Sequence, residues 1–158
     1  MINVLFVCLG NICRSPMAEG VFRSLVDDAG LSDDIMVDSA GTGSWHAGET
    51  AHRGTLDVLQ RNGIDYDGRA RQFRRRDMHD FDYVLAMDAS NLSKIKPHMP
   101  DDSTVDVRLF LEYANQAGLT DVREVPDPYY DGKFDTVYDL VTKGSRALLD
   151  HIRETHDL

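Results

Sequence analysis

The chain has 158 residues, of which 42% are hydrophobic and 28% charged, and its formal net charge is -10. This size and balance predict one domain over residues 1–158 and exclude a disordered chain. The acidity argues against a nucleic-acid partner, no stretch reaches the ~20 apolar residues of a membrane span, and the start has no basic flank of a secretion signal, so a cytoplasmic protein without membrane insertion is expected.

Val4 to Val7 is continuously apolar and rich in branched and aromatic residues, which predicts a central parallel strand covered on both faces. A loop from Cys8 to Ser15 follows. Pro16 fits the first turn of a helix whose buried face carries Met17, Val21, Phe22 and Leu25 and which ends near Gly30. Ile35 to Ser39 reads as a second strand, Ala40 to Gly48 as a glycine-rich loop, and Thr55 to Asn62 as part of a second helix stopped by Gly63. Arg69, Arg71, Arg74, Arg75 and Arg76 read as a solvated face, because Asp77, Asp80 and Asp82 follow at once.

Asp82 to Met87 supplies a third strand, Ala89 to Lys96 a short helix ended by Pro97, and Val105 to Leu109 a fourth strand. A loop centred on Pro126 to Tyr130 leads into a last helix with Val137, Leu140, Val141, Leu148, Leu149 and Ile152 on its buried face and Gly144 as its weak point. Strands alternating with helices predict an α/β fold: a single doubly wound domain with a central, mostly parallel four-stranded sheet flanked by helices. Ligands of such sheets sit at the carboxyl ends of the strands, where Cys8 lies.

The segment Cys8-Leu-Gly-Asn-Ile-Cys-Arg14-Ser15 joins a buried strand to a helix, so its backbone N–H groups can wrap an anion such as phosphate. Gly10 and Asn11 tolerate the left-handed conformations that turn such groups inward. The same field, with Arg14, favours thiolate at Cys8. Arg14 can also grip two phosphate oxygens at once, and the Ser15 hydroxyl can hydrogen-bond the thiolate. Cys8 and Cys13 are the only cysteines, too few for a disulfide framework or a structural zinc site, which points to a reducing compartment and to reactivity. Cys13 could serve as a resolving thiol for an oxidised Cys8, or simply pack in the core.

Several dispersed motifs extend this reading: Val7 to Pro16, Asp38 to Gly41, Trp45, Ala70 to Gln72, Phe81 to Tyr83, Met87-Asp88 with Asn91-Leu92, and Asp127 to Tyr130. In these the chain resembles the low-molecular-weight protein tyrosine phosphatases over almost its whole length. The resemblance implies Cys8 as nucleophile, Arg14 as phosphate clamp and Asp127 as general acid; from its surroundings alone, Asp127 between two prolines is a turn residue. It also places Trp45, Tyr129 and Tyr130 beside the cleft mouth, with Leu9 on the other side. Gly10, Asn11, Ile12, Cys13 and Ser15 complete the binding loop, and Asn11, Ser15 and Ser39 brace it, with Asp88 in support. A histidine of the family's bracing network falls at Gly68 here, so either water or another side chain completes the network or the loop is less tightly held.

The implied reaction is hydrolysis of phosphotyrosine and aryl phosphate monoesters through a cysteinyl phosphate, without metal or other cofactor. The implied partners are tyrosine-phosphorylated proteins, with inorganic phosphate as product and inhibitor; the sequence leaves the oligomeric state open, with a monomer favoured. One alternative is an arsenate reductase of similar fold, but those enzymes pass oxidation to further cysteines and none follows Cys13. Another is a phosphotyrosine-binding module without turnover.

Overall fold

In the computed structural model, which describes residues 1–158, the elements run β1 (Ile2–Cys8), α1 (Arg14–Asp28), β2 (Ile35–Gly41), α2 (Arg53–Arg61), α3 (Asp77–Asp80) and β3 (Tyr83–Ala86). They continue with α4 (Ala89–Ile95), a 3-10 turn at Lys96–His98, β4 (Asp106–Leu109), α5 (Glu112–Gln116) and α6 (Phe134–His156). The strand order is β2-β1-β3-β4, and every neighbouring pair is parallel. The doubly wound α/β reading therefore holds, with a sheet that is wholly parallel.

Alternation along β1 explains why helices cover both faces. Val4 and Phe6 enter a core shared with α1, α2, α5 and α6, whereas Leu5 and Val7 enter a smaller one with Met78 of α3 and Ile95 of α4. Phe6 meets the rings of Phe22 and Phe110 edge-on at 5.7 and 5.2 Å. No helix is long and apolar enough to cross a membrane.

The four predicted strands are present to within two residues at their ends, but α3 and α5 span too few turns for apolar periodicity to reveal them. Two expectations are corrected. Gly144 is no weak point: α6 runs through it unbroken, and a Cβ there would lie 2.6 Å from the Phe110 ring, so the glycine lets the helix close onto the ring that follows β4. Arg71 does not belong to a solvated face. Its guanidinium bridges Asp38 at 3.1 Å and Asp77 at 3.0 Å, and Asp77, only 1% exposed, needs that partner to be tolerated inside.

Candidate active site

Between the end of β1 and the start of α1 the backbone curls around a point in front of Cys8. Asn11 makes the turn with φ 57°, a left-handed conformation that asparagine tolerates, and its N–H points back to Cys8 Sγ at 3.3 Å. Gly41 lies beneath the curl; a Cβ there would come within 2.8 Å of the Leu9 carbonyl oxygen. The loop's carbonyls are drawn outward, Cys8 O and Leu9 O accepting from the N–H groups of Thr42 and Gly43, both at 2.9 Å. Ile12 O accepts from the His52 N–H at 2.7 Å, and Cys13 O from the Thr55 hydroxyl at 2.9 Å. The N–H groups of Leu9, Gly10, Ile12, Cys13, Arg14 and Ser15 have no acceptor within the protein. Such donors at a helix N-terminus form a ready anion cradle.

Behind the cradle, the Asn11 side chain donates to Ser15 Oγ at 2.7 Å and Ser39 Oγ at 3.0 Å, and accepts from the Arg71 N–H at 3.0 Å. Ser15 Oγ lies 3.0 Å from Cys8 Sγ. Ser39 donates to Glu19 at 2.6 Å, and Glu19 accepts from the Tyr66 hydroxyl at 2.8 Å and pairs with Arg23. Another side chain thus occupies the region left by Gly68: a Cβ on that glycine would meet the Tyr66 hydroxyl at 2.4 Å.

Arg14 is 3% exposed. Its Nη1 donates to Asp88 Oδ2 at 2.7 Å and to the Val125 carbonyl at 3.0 Å. Burial opposes the charge, but Cys8, Asp88 and Asp127 outweigh it and hold the guanidinium above its ordinary pKa. Asp88 is itself fixed, since its other oxygen caps α4 in a reciprocal box with Asn91. Asp127 Oδ1 accepts from the Tyr129 N–H at 3.1 Å, and its Oδ2 lies 3.7 Å from Arg14 Nη2. Burial first, then the charges of Cys8 and Asp127, push the Cys13 thiol up to about 12.

These parts enclose a cleft of about 260 Å³ with Cys8 and Arg14 at its base and Asp127 in its wall. Leu9, Gly10, Ile12 and Cys13 also line it, and Trp45, Tyr129 and Tyr130 stand exposed at its mouth. Asn11, Ser15, Ser39 and Asp88 lie behind this surface. The structure therefore brings together every residue that the sequence singled out.

Sequence reasoning missed four others. His46 lines the rim against Gly10 and contacts Glu49, and His52 stacks on Phe134 at 4.9 Å with its edge toward Tyr129. Nothing in their local sequence marks them. Glu19 did leave a signal, a carboxylate among Met17, Ala18, Val21 and Phe22 on a buried helix, whereas Tyr66 left none. No three His, Cys, Asp or Glu side chains cluster so as to hold a metal ion.

The model of the family described as low molecular weight phosphotyrosine protein phosphatase matches residues 3–157. The chain is 46% identical over 159 residues to low molecular weight protein-tyrosine-phosphatase YfkJ of Bacillus subtilis, covering 100% of both, and the crystal structure of YfkJ superposes with a TM-score of 0.92, covering 98% of this chain and 96% of that one. A protein tyrosine phosphatase from Entamoeba histolytica is 32% identical with a TM-score of 0.91, covering 99% of both chains. DARP, a Drosophila arginine phosphatase, is 31% identical with a TM-score of 0.86, covering 97% of this chain and 98% of that one.

Proposed function

This chain belongs to the low molecular weight phosphotyrosine protein phosphatase family, and from that premise we propose that it hydrolyses phosphotyrosine in proteins with Cys8 as nucleophile, Arg14 as clamp and Asp127 as general acid and base. The observation that carries the proposal is the convergence on one cleft of unpaired loop N–H groups, the Cys8 sulfur, the Arg14 guanidinium and the Asp127 carboxyl. Cys8 Sγ attacks phosphorus in line, forming the S–P bond as the ester P–O bond breaks, and Asp127 gives its proton to the departing phenolate oxygen. Asp127 then takes a proton from water as that water attacks phosphorus, and the thiolate leaves with inorganic phosphate as product. The loop N–H groups and Arg14 hold the equatorial oxygens through both steps.

A flat aryl group suits the space between Trp45 and the Tyr129-Tyr130 pair. Tyrosine-phosphorylated proteins are the proposed partners, the cytoplasm the proposed location, and inorganic phosphate a competitive inhibitor. The test compares turnover of phosphotyrosine, phosphoserine and phosphoarginine peptides by the purified protein, since one relative is an arginine phosphatase. Preference for phosphotyrosine supports the reading. No turnover of any of them would leave a binding module.

Arg14→Lys tests the clamp in the same assay. With Nη1 tied to Asp88 and Val125, a guanidinium still has a second nitrogen for the substrate, whereas an ammonium cannot make both attachments in the same plane. Loss of this oriented donor is expected to lower kcat by about 100- to 1,000-fold. A Lys variant with near-normal kcat would remove Arg14 from the role.

Cys13 yields an expectation for peroxide. Burial keeps it as the thiol, so closure of a Cys8–Cys13 disulfide on an oxidised Cys8 should be slow near neutrality and faster as pH rises. After prolonged peroxide wild type should recover activity in dithiothreitol, whereas in Cys13→Ser the unprotected Cys8 sulfenic acid is oxidised further by peroxide to the sulfinic acid, which dithiothreitol does not reduce. If peptide mapping finds no linked pair, Cys13 is a packing residue.

A further inference from the structure

The bracing hydrogen bonds behind the cradle have a direction, and it is set from two sides, by the Arg71 N–H at Asn11 and by Glu19 at the end remote from Cys8. Glu19 lies on α1, one turn beyond Ser15, and is 5% exposed. Its carboxylate, paired with Arg23, can only accept hydrogen bonds. One oxygen receives both the Ser39 hydroxyl at 2.6 Å and the Tyr66 hydroxyl at 2.8 Å. With its proton committed to Glu19, Ser39 Oγ can only accept from Asn11, at 3.0 Å.

The Asn11 amide cannot be turned the other way, because its Oδ1 accepts the Arg71 N–H. Both Nδ2 hydrogens therefore go to Ser39 and Ser15. Ser15 Oγ, having accepted one of them, has its own proton left to give. The acceptors in reach are Cys8 Sγ at 3.0 Å and the Ala40 carbonyl at 3.4 Å. A thiolate at the shorter distance takes it.

We propose that Tyr66, acting through Glu19 and Ser39, is a positioning residue that joins the Arg71 N–H in holding Asn11, and so Ser15, in the orientation that donates to the Cys8 thiolate, and that Gly68 is required because its missing side chain admits the Tyr66 hydroxyl. Two observations meet here independently: the continuous relay from Tyr66 to Cys8, and the absence of room for any Cβ at Gly68 while Tyr66 holds its place. Burial first, then the Glu19 charge, raise the Tyr66 phenol well above its ordinary ionisation range, so it remains a donor at every working pH. Without it, a buried carboxylate loses one of its donors and competes differently for Ser39.

The proposal rests on the assignment of Cys8 as nucleophile, and its test reads the thiolate separately from turnover. Cys8 alkylation by iodoacetamide, located by peptide mapping, is followed against pH in wild type, Tyr66→Phe and Gly68→Ala, beside kcat/KM for an aryl phosphate and thermal unfolding. The phenylalanine keeps the ring and removes only the hydroxyl; the alanine displaces the hydroxyl and keeps it. Arg14 and Cys13 on the loop and helix, Asp127 across the cleft and His46 at the rim are unchanged in both variants, so a shift reports on the relay.

In mildly acidic buffer both variants should alkylate about 3- to 10-fold more slowly, the factor that one hydrogen bond supplies. The alkylation curve and the acid limb of kcat/KM should move together to higher pH. Alkylation curves that coincide with wild type in both variants, whatever happens to the melting temperature, would overturn the proposal and leave Tyr66 a packing residue. Absence of turnover in wild type would instead count against the phosphatase assignment, while the alkylation curves would still judge Tyr66.

Discussion

Cys8→Ser is expected to bring aryl phosphate hydrolysis down to the uncatalysed background while phosphate and vanadate still bind. The cradle is backbone, held by the N–H groups of Thr42, Gly43 and His52 on its outer carbonyls, and none of these depends on sulfur. Arg14 keeps its ties to Asp88 and Val125. What disappears is the nucleophile, because a serine hydroxyl is no match for a thiolate, and Asp127 must hold its own proton for the leaving group in that step. The two properties separate in a pair of measurements: steady-state turnover, and anion titration by calorimetry. In wild type, rapid acid quench during turnover of a radiolabelled aryl phosphate should trap phosphate on the Cys8 peptide. Substantial turnover by the serine variant, or label on another residue, would remove Cys8 from its role.

Asp127→Ala should produce the next largest loss, and an uneven one. For an alkyl or unactivated phenyl ester, removal of a positioned acid is expected to cost about 100- to 10,000-fold in kcat. A leaving group that departs as a stable phenolate needs no proton, so its first step should change little, and only hydrolysis of the cysteinyl phosphate should slow. A series of leaving groups of graded basicity checks this. Equal slowing for every leaving group would mean that another residue is the acid.

Most of the fold could be read from residue pattern alone because parallel strands covered on both faces leave uninterrupted apolar runs, as at Val4–Val7. The cleft-forming segments were legible for a different reason: the loop from Cys8 to Ser15 concentrates its chemistry in consecutive residues. Asp127 was not legible from its own surroundings, since a carboxyl between prolines looks like any turn; only resemblance to a family singled it out.

What escaped was long-range and polar. Tyr66 meets Glu19 across 47 residues, and Arg71 reaches back 33 residues to Asp38. No period in a sequence encodes such a pairing. Arg71 looked like surface because its basic run leads straight into Asp77, Asp80 and Asp82, yet its charge is spent on the buried Asp77. Gly144 looked like a flaw in a helix because propensity does not register a ring pressed against the backbone.

Val125 donates its N–H to the Met87 carbonyl at 2.8 Å and accepts from Arg14 Nη1 at 3.0 Å. One peptide segment therefore fastens the stretch that carries Asp127 to both the end of β3 and the guanidinium. The clamp and the proton donor are mechanically one part, so their energetic contributions are not separable: a rate lost on altering Arg14 includes whatever misplacement it passes to Asp127, and the free energies of the two single changes should sum to more than the double change costs. Catalytic power here is a joint property of two residues that lie more than a hundred positions apart in the chain and are tied together through the carbonyl oxygen of Val125, two residues before Asp127.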